Sequence, residues 1–200
     1  QRSSLDALRQ PLECGCVAIV RGQRALTFPT RFMLIAATNP CPCGFAGVDG
    51  RCACGEADLR RHQRKLSGPL LDRLDLLVDV RRLAAHELNG PPSITSTEAR
   101  AVVTDARERQ RSRFAGTGAS CNGEMDVRLA RRHARLEPDA DAALSDAYQN
   151  GVLSARGRHR VLRVARTIAD LEHHERVTRL DVLTALGMRQ RSGAATELAA

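Results

Sequence analysis

The sequence predicts an α/β chain: the C-terminal part of a parallel-sheet core over residues 1–83, then an all-helical bundle over 96–191. Three observations carry that prediction. Two continuous apolar runs, FMLIAA (32–37) and LLVDV (76–80), suit strands buried on both faces, as parallel strands are. Asn89-Gly90-Pro91-Pro92-Ser93 is the strongest cluster of structure breakers and sets a linker over 84–95. Beyond that cluster every long stretch has helical periodicity.

The elements follow in order. Leu5, Leu8 and Leu12 share one helical face and predict a helix over 3–13. Residues 17–20 (VAIV) and 25–28 (ALTF), joined through Arg21-Gly22-Gln23, predict a hairpin. The strand at 32–37 ends in Thr38-Asn39-Pro40 and leads into a Cys/Gly-rich loop over 41–55. Helices over 58–66 and 70–74 precede the strand at 76–80. In the helical half the pattern predicts helices over 97–114, 126–135, 138–149, 154–173 and 178–190, with a loop at 116–123 and a frayed tail over 192–200. Glu98 falls in the first turn of its helix and Arg111 and Arg113 in the last, as the helix dipole favours. Ser154 and Thr178 stand where N-caps belong, and Asp181 follows Thr178 by three residues.

Composition excludes several classes. A chain of 200 residues buries roughly 70% of the surface its unfolded form exposes, so it needs no disulfides to fold. The balance of 31 basic and 23 acidic residues gives +8, but Lys65 is the single lysine, a bias that reads more as coding than as a selected surface. No apolar run approaches the ~18 residues that span a membrane. The opening QRSSLDALRQPLE has no initiator Met and no basic-then-apolar leader, which predicts a piece of a longer protein. Six of seven cysteines form Cys-x-Cys pairs (Cys14/Cys16, Cys41/Cys43, Cys52/Cys54), a pattern that predicts a reducing cytoplasm and a metal before a disulfide scaffold. Lys65 sits in RHQRKLSG without the glycine that a G-x-x-x-x-G-K-[ST] phosphate loop requires.

Four constellations could carry chemistry. Cys41, Cys43, Cys52 and Cys54 offer four thiolates for tetrahedral Zn2+, with glycines that let the loop fold back; the competing reading is a set of reduced, metal-free thiols. Cys14, Cys16 and Cys121 read as small hydrophobes. Asn39, at the carboxyl end of a buried strand, can orient a water or a phosphate oxygen, or it can simply make the turn before Pro40. Arg73, in LSGPLLDRLDLLVDV, either pairs with Asp72 or Asp75 or reaches a phosphate held by a neighbouring subunit. Arg156, Arg158, Arg160, Arg163 and Arg166 crowd five positive charges into eleven residues, a solvated face or a surface for a polyanion.

Together, LDALRQPLE, FPTRFMLIAATNPCPCG, the second Cys-x-Cys pair, LSGPLLDRLDLLVDV, ARERQRSRF and LSARGRHRVLRVARTIADLE resemble the C-terminal half of a magnesium-chelatase-like AAA+ ATPase. The bacterial branch that carries a cysteine box, associated with competence and DNA branch migration, is the one that looks most similar. The resemblance runs from about Leu5 to Arg191. It implies that Asn39 is the sensor-1 residue, Arg73 the arginine finger and Arg156 the sensor-2 arginine of an ATP–Mg2+ site completed by other parts of a ring, a hexamer in this class. The hairpin bearing Arg21 and Arg24 becomes a candidate DNA contact in the pore. Two departures stand out: neither a phosphate loop nor an apolar run ending in Asp-Glu occurs, so the chain alone is expected to be inactive as an ATPase.

The function implied is an ATP-driven cytoplasmic ring motor on DNA, a branch-migration or helicase activity in recombination or DNA uptake. The alternative is the motor subunit of a metal-inserting chelatase, which lacks such a cysteine box. A zinc-containing binding module would explain the cysteines but leave Asn39, Arg73 and Arg156 without a role. A Lon-type protease would need Lys65 as its catalytic lysine, and no serine in a recognisable motif accompanies it.

Overall fold

A computed structural model describes residues 2–22, 24–48, 50–80 and 83–189. The chain divides into two compact units, Gln1–Leu74 and Asp75–Ala200.

The first unit opens with α1 (Arg2–Asp6) and α2 (Arg9–Cys14) in place of one helix over 3–13. Pro11 explains the break: its ring would clash with the carbonyl of Ala7, where the helix stops. Gly15, in the left-handed conformation at φ 64°, turns α2 into the expected hairpin, β1 (Cys16–Arg21) paired antiparallel with β2 (Arg24–Pro29). The Thr30 amide donates to the Gly15 carbonyl at 2.8 Å and closes the hairpin base. Then come the cysteine loop, α3 (Glu56–Gln63) and the short α4 (Gly68–Leu71), capped by Ser67 with Pro69 in its first turn.

The runs 32–37 and 76–80 form no ladder among the described residues, and the only sheet there has two strands. A strand buried on both faces needs neighbours to bond its backbone and cover its side chains. Here Met33 and Ile35 are 84% and 81% exposed, and Val80 is 91% exposed. Cys41 and Leu70 are the only buried apolar side chains of this unit among the described residues.

The second unit begins at Asp75, ahead of the breaker cluster, because residues 75–77 are bonded into it. Asp75 pairs with Arg160 and Arg163, and the Leu77 amide donates to the Met188 carbonyl at 2.7 Å. The expected linker holds a short helix, α5 (Ala85–Leu88). The helices then follow the sequence closely: α6 (Ser96–Arg113), α7 (Val127–His133), α8 (Pro138–Gln149), α9 (Ala155–Leu171) and α10 (Arg179–Gly187). Thr95 and Thr178 close capping boxes with Glu98 and Asp181, and Ser154 caps α9. The tail expected over 192–200 lies outside the described residues.

α9 is the centre of the core. Val161, Ala165 and Ala169 recur every fourth residue on its inner face and pack with Leu144, Val182, Ala185, Phe114 and Met125. Inside this apolar shell lies a polar network centred on Asp170, in which Arg166 Nε alone is left buried without an acceptor among the described residues. Asp170 accepts from Arg113 Nη1 at 2.7 Å, Asn122 Nδ2 at 2.8 Å and Arg166 Nη2 at 3.0 Å. Arg166 also donates to the His174 and Glu175 carbonyls, so it fixes the turn between α9 and α10.

Candidate functional site

The cysteine loop gathers its four thiols. The sulfur of Cys41 lies 3.3 Å from that of Cys43 and 3.9 Å from that of Cys52, and Cys43 and Cys52 are 3.7 Å apart. All four sulfurs, Cys54 included, lie within 4.8 Å of one another. Zinc bound by four thiolates at about 2.3 Å sets sulfur–sulfur edges of about 3.8 Å, so the cluster is already close to tetrahedral spacing. The loop makes this by turning at glycine: Gly44 and Gly47 adopt φ of 82° and 83°, where a side chain would be strained. The Ala46 amide donates to the Cys41 sulfur at 3.2 Å.

The thiols are electrostatically unequal. Cys43 is drawn down to about 6, first by the Phe45 backbone amide and then by the Cys41 and Cys54 side chains. Cys54 is pushed up to about 12: the Cys43 amide favours its thiolate, but hydrogen bonding to the Cys43 sulfur, burial and the Cys41 charge outweigh it. Cys52 moves up in the same way, with the Cys54 amide opposing burial and the Cys43 and Cys41 sulfurs. Four adjacent thiols repel one another's ionisation, and a divalent cation relieves that repulsion. The residues present fit a metal ion on geometry and donor type.

Asn39 is separated from this loop by Pro40 alone. Its carbonyl accepts from His62 Nε2 at 2.8 Å and from the Thr38 hydroxyl at 3.2 Å. Its side chain is exposed, and the carboxamide has no hydrogen bond among the described residues. His62, on α3, is a contact that sequence reasoning missed; its place eight residues after Cys54 was the only signal.

Arg73 bonds within its own unit through all three guanidinium nitrogens. Its Nε donates to the Arg9 carbonyl at 3.1 Å, its Nη1 to the Pro69 carbonyl at 2.7 Å, and its Nη2 pairs with Glu13. The partner is therefore neither Asp72 nor Asp75. Among the described residues no hydrogen bond or ion pair joins Arg73 to Asn39.

Arg156 stands exposed in the first turn of α9, in the second unit. The other arginines of that helix do not form an open cationic face. Arg160 and Arg163 both donate to Asp75 Oδ1 at 3.0 Å, Arg158 pairs with Asp141, and Arg166 is buried. Charge density in sequence was misleading because the carboxylates that neutralise it come from distant positions.

Arg21 and Arg24 face each other in the hairpin register and are both exposed. Like charges directly opposite on a ladder destabilise it, so the pair favours an anion between or across them. The apolar side chains Ile19, Val20, Leu26 and Phe28 of the same hairpin are exposed as well. Cys14 is also exposed rather than packed as a small hydrophobe. No helix among the described residues is long and apolar enough to cross a membrane.

Residues 1–88 match the family model of magnesium chelatase, subunit ChlI, and residues 93–189 match that of its C-terminal region. An uncharacterized protein of Mycobacterium tuberculosis is 40% identical over 188 residues, which cover 94% of this chain and 37% of that protein. Competence protein ComM of Haemophilus influenzae is 37% identical over 193 residues, 94% of this chain and 36% of its own length. YifB of Escherichia coli is 34% identical over 192 residues, with coverages of 94% and 37%. The chain thus spans little more than a third of the length of these relatives. It belongs to the magnesium-chelatase-like family, alongside ComM and YifB.

Proposed function

We propose that this chain is the C-terminal part of an ATP-driven AAA+ ring motor that moves branched DNA. The observation that carries the DNA reading is the Arg21–Arg24 pair at the end of an exposed hairpin. Two cations set opposite one another, with apolar side chains behind them, suit a phosphate backbone. The similarity to a competence protein over 94% of the chain supports the same reading.

In this proposal residues 1–83 complete a parallel sheet with further strands of the longer protein. The support is the exposed apolar runs at 32–37 and 76–80, whose uncovered side chains need such neighbours. Residues 96–191 act as the lid. Asn39 orients the attacking water against the γ-phosphate of Mg2+-bound ATP, Arg156 contacts that phosphate from the lid, and Arg73 completes the site of the adjacent subunit in a hexamer. Phosphoryl transfer depends mainly on positioning and charge neutralisation, which a carboxamide and two guanidinium groups supply. Cys41, Cys43, Cys52 and Cys54 hold a structural Zn2+, closed to substrate because protein ligands fill all four positions. The cytoplasm, where thiols stay reduced, suits that site.

The alternative is the motor subunit of a magnesium chelatase, favoured by the description of both family models. The cysteine box argues against it, because the resemblance to ordinary chelatase motor subunits implies none between Asn39 and Arg73.

DNA binding by the full-length protein tests the proposal. Arg21→Ala with Arg24→Ala is expected to weaken binding and to lower the salt-dependence slope by about 2, one phosphate contact for each cation. Unchanged affinity and slope would remove the hairpin from the DNA path.

A further inference from the structure

We propose that His62 is a positioning residue for Asn39, and that the cysteine loop carries it into place. The inference rests on the reading of Asn39 as the nucleotide-sensing residue. Asn39 and His62 are separated by 23 residues, and the intervening chain is the four-thiol loop followed by α3. The loop leaves Asn39 at Cys41 and returns to it through Cys54 and the helix, so the segment closes on the asparagine from both ends.

The contacts divide the work between main chain and side chain. The His62 Nε2 lies 2.8 Å from the Asn39 carbonyl. A carbonyl only accepts, so Nε2 carries the proton, and the ring is held as the Nε2–H tautomer. His62 Nδ1 is buried and without a partner among the described residues, which leaves this bond as the polar contact that sets the ring. On the other side, Gly44 lies beside the carboxamide, where a Cβ would meet Asn39 Nδ2 at 3.8 Å, an ordinary contact. What favours glycine there is the backbone, at φ 82°, which strains other residues. The backbone of Asn39 is therefore held at its carbonyl, while the carboxamide stays unbonded and exposed. A group that must meet a ligand oxygen within a few tenths of an ångström needs that combination of fixed origin and free tip. His62 itself touches neither nucleotide nor water; it acts through Asn39.

A double-mutant cycle on the full-length assembled protein tests this, with Asn39→Ala, His62→Ala, His62→Gln and the Asn39→Ala/His62→Ala double. His62→Ala is expected to lower kcat for ATP hydrolysis by about 10- to 100-fold with little change in KM. His62→Gln, whose amide can donate from nearly the same place, is expected to recover most of that loss. In the Asn39→Ala background, removing His62 should cost nothing further. Where the alanine variant does not assemble, His62→Phe fills the space without a donor and takes its place in the cycle. If Asn39→Ala is impaired but His62→Ala is not, the positioning role is wrong and the sensor reading stands. Additive losses, or a glutamine variant no better than alanine, reduce His62 to a packing residue and overturn the proposal. An Asn39→Ala enzyme with full kcat overturns the sensor reading itself, and this inference with it.

Discussion

Arg73 and Glu13, 60 residues apart in the chain, form an ion pair that ties the turn after α4 back to α2. Each guanidinium nitrogen makes one bond, since Arg73 also donates to the Arg9 and Pro69 carbonyls. An arginine held this way has a structural role within its own unit, which any role towards a neighbouring subunit must accommodate.

Arg73→Ala and Glu13→Gln should therefore both loosen the first unit, each by about 1 kcal/mol, since the pair is partly exposed. Urea unfolding reads that effect. ATP hydrolysis by the full-length assembly separates the two roles. Arg73→Ala should lose about 10³-fold in kcat, as a trans-acting arginine does, whereas Glu13→Gln retains activity. Equal kinetic losses in the two variants would leave Arg73 with the structural role alone.

Asp170→Asn should be the most damaging polar substitution in the helical unit. The carboxylate is 1% exposed and accepts from Arg113, Asn122 and Arg166. Neutralising it leaves buried guanidinium charge without a counter-ion and should cost about 3–5 kcal/mol. Asp75→Asn, at an exposed carboxylate shared by Arg160 and Arg163, should cost about 1 kcal/mol. Similar denaturation midpoints for the two variants would contradict this ranking.

The helical unit should lose stability below pH 6.5. Burial lowers the pKa of His133, with Arg132, Arg113 and Arg135 adding to the shift. Burial and Arg163 lower that of His159, with Asp126 opposing. A histidine depressed in the fold binds fewer protons there than in the unfolded chain. Stability from this source is complete above the unfolded value of 6.5 and declines as pH falls below it. Melting followed from about pH 7.5 to about pH 5.5 should show the decline, and His159→Gln should flatten it.

Purified protein should contain one zinc ion per chain at the cysteine loop, and Cys43→Ser or Cys52→Ser should abolish stoichiometric binding. Chelation of the wild type should lower the melting temperature of the first unit and leave that of the second unchanged. A metal-free protein whose stability is indifferent to Cys43→Ser would refute the site.

Local chemistry was legible in the sequence wherever it acts over a few residues. Thr178 with Asp181, Ser154, and the turn between Val20 and Ala25 all specify their own geometry, and the structure places caps and hairpin there. The four cysteines were legible as a set because a short glycine-rich loop can bring them together. Long-range pairing was not. Arg160 and Arg163 read as an open cationic stripe until Asp75, 85 and 88 residues away, is placed against them. Arg73 likewise met Glu13 rather than the acids beside it. The apolar runs at 32–37 and 76–80 have the composition of buried strands but no neighbours among the described residues to pair with. Pattern identifies what a segment can become, whereas pairing depends on what else is folded around it.

The central claim, a DNA motor, is tested most directly by ATP-driven migration of a synthetic four-way junction with the full-length protein. The account predicts strand exchange that requires ATP and is lost in the Arg21→Ala/Arg24→Ala variant despite an intact ring. A junction left unmoved by the wild type would contradict it, whereas one moved equally well by that variant would leave the motor and remove the hairpin pair from the DNA path.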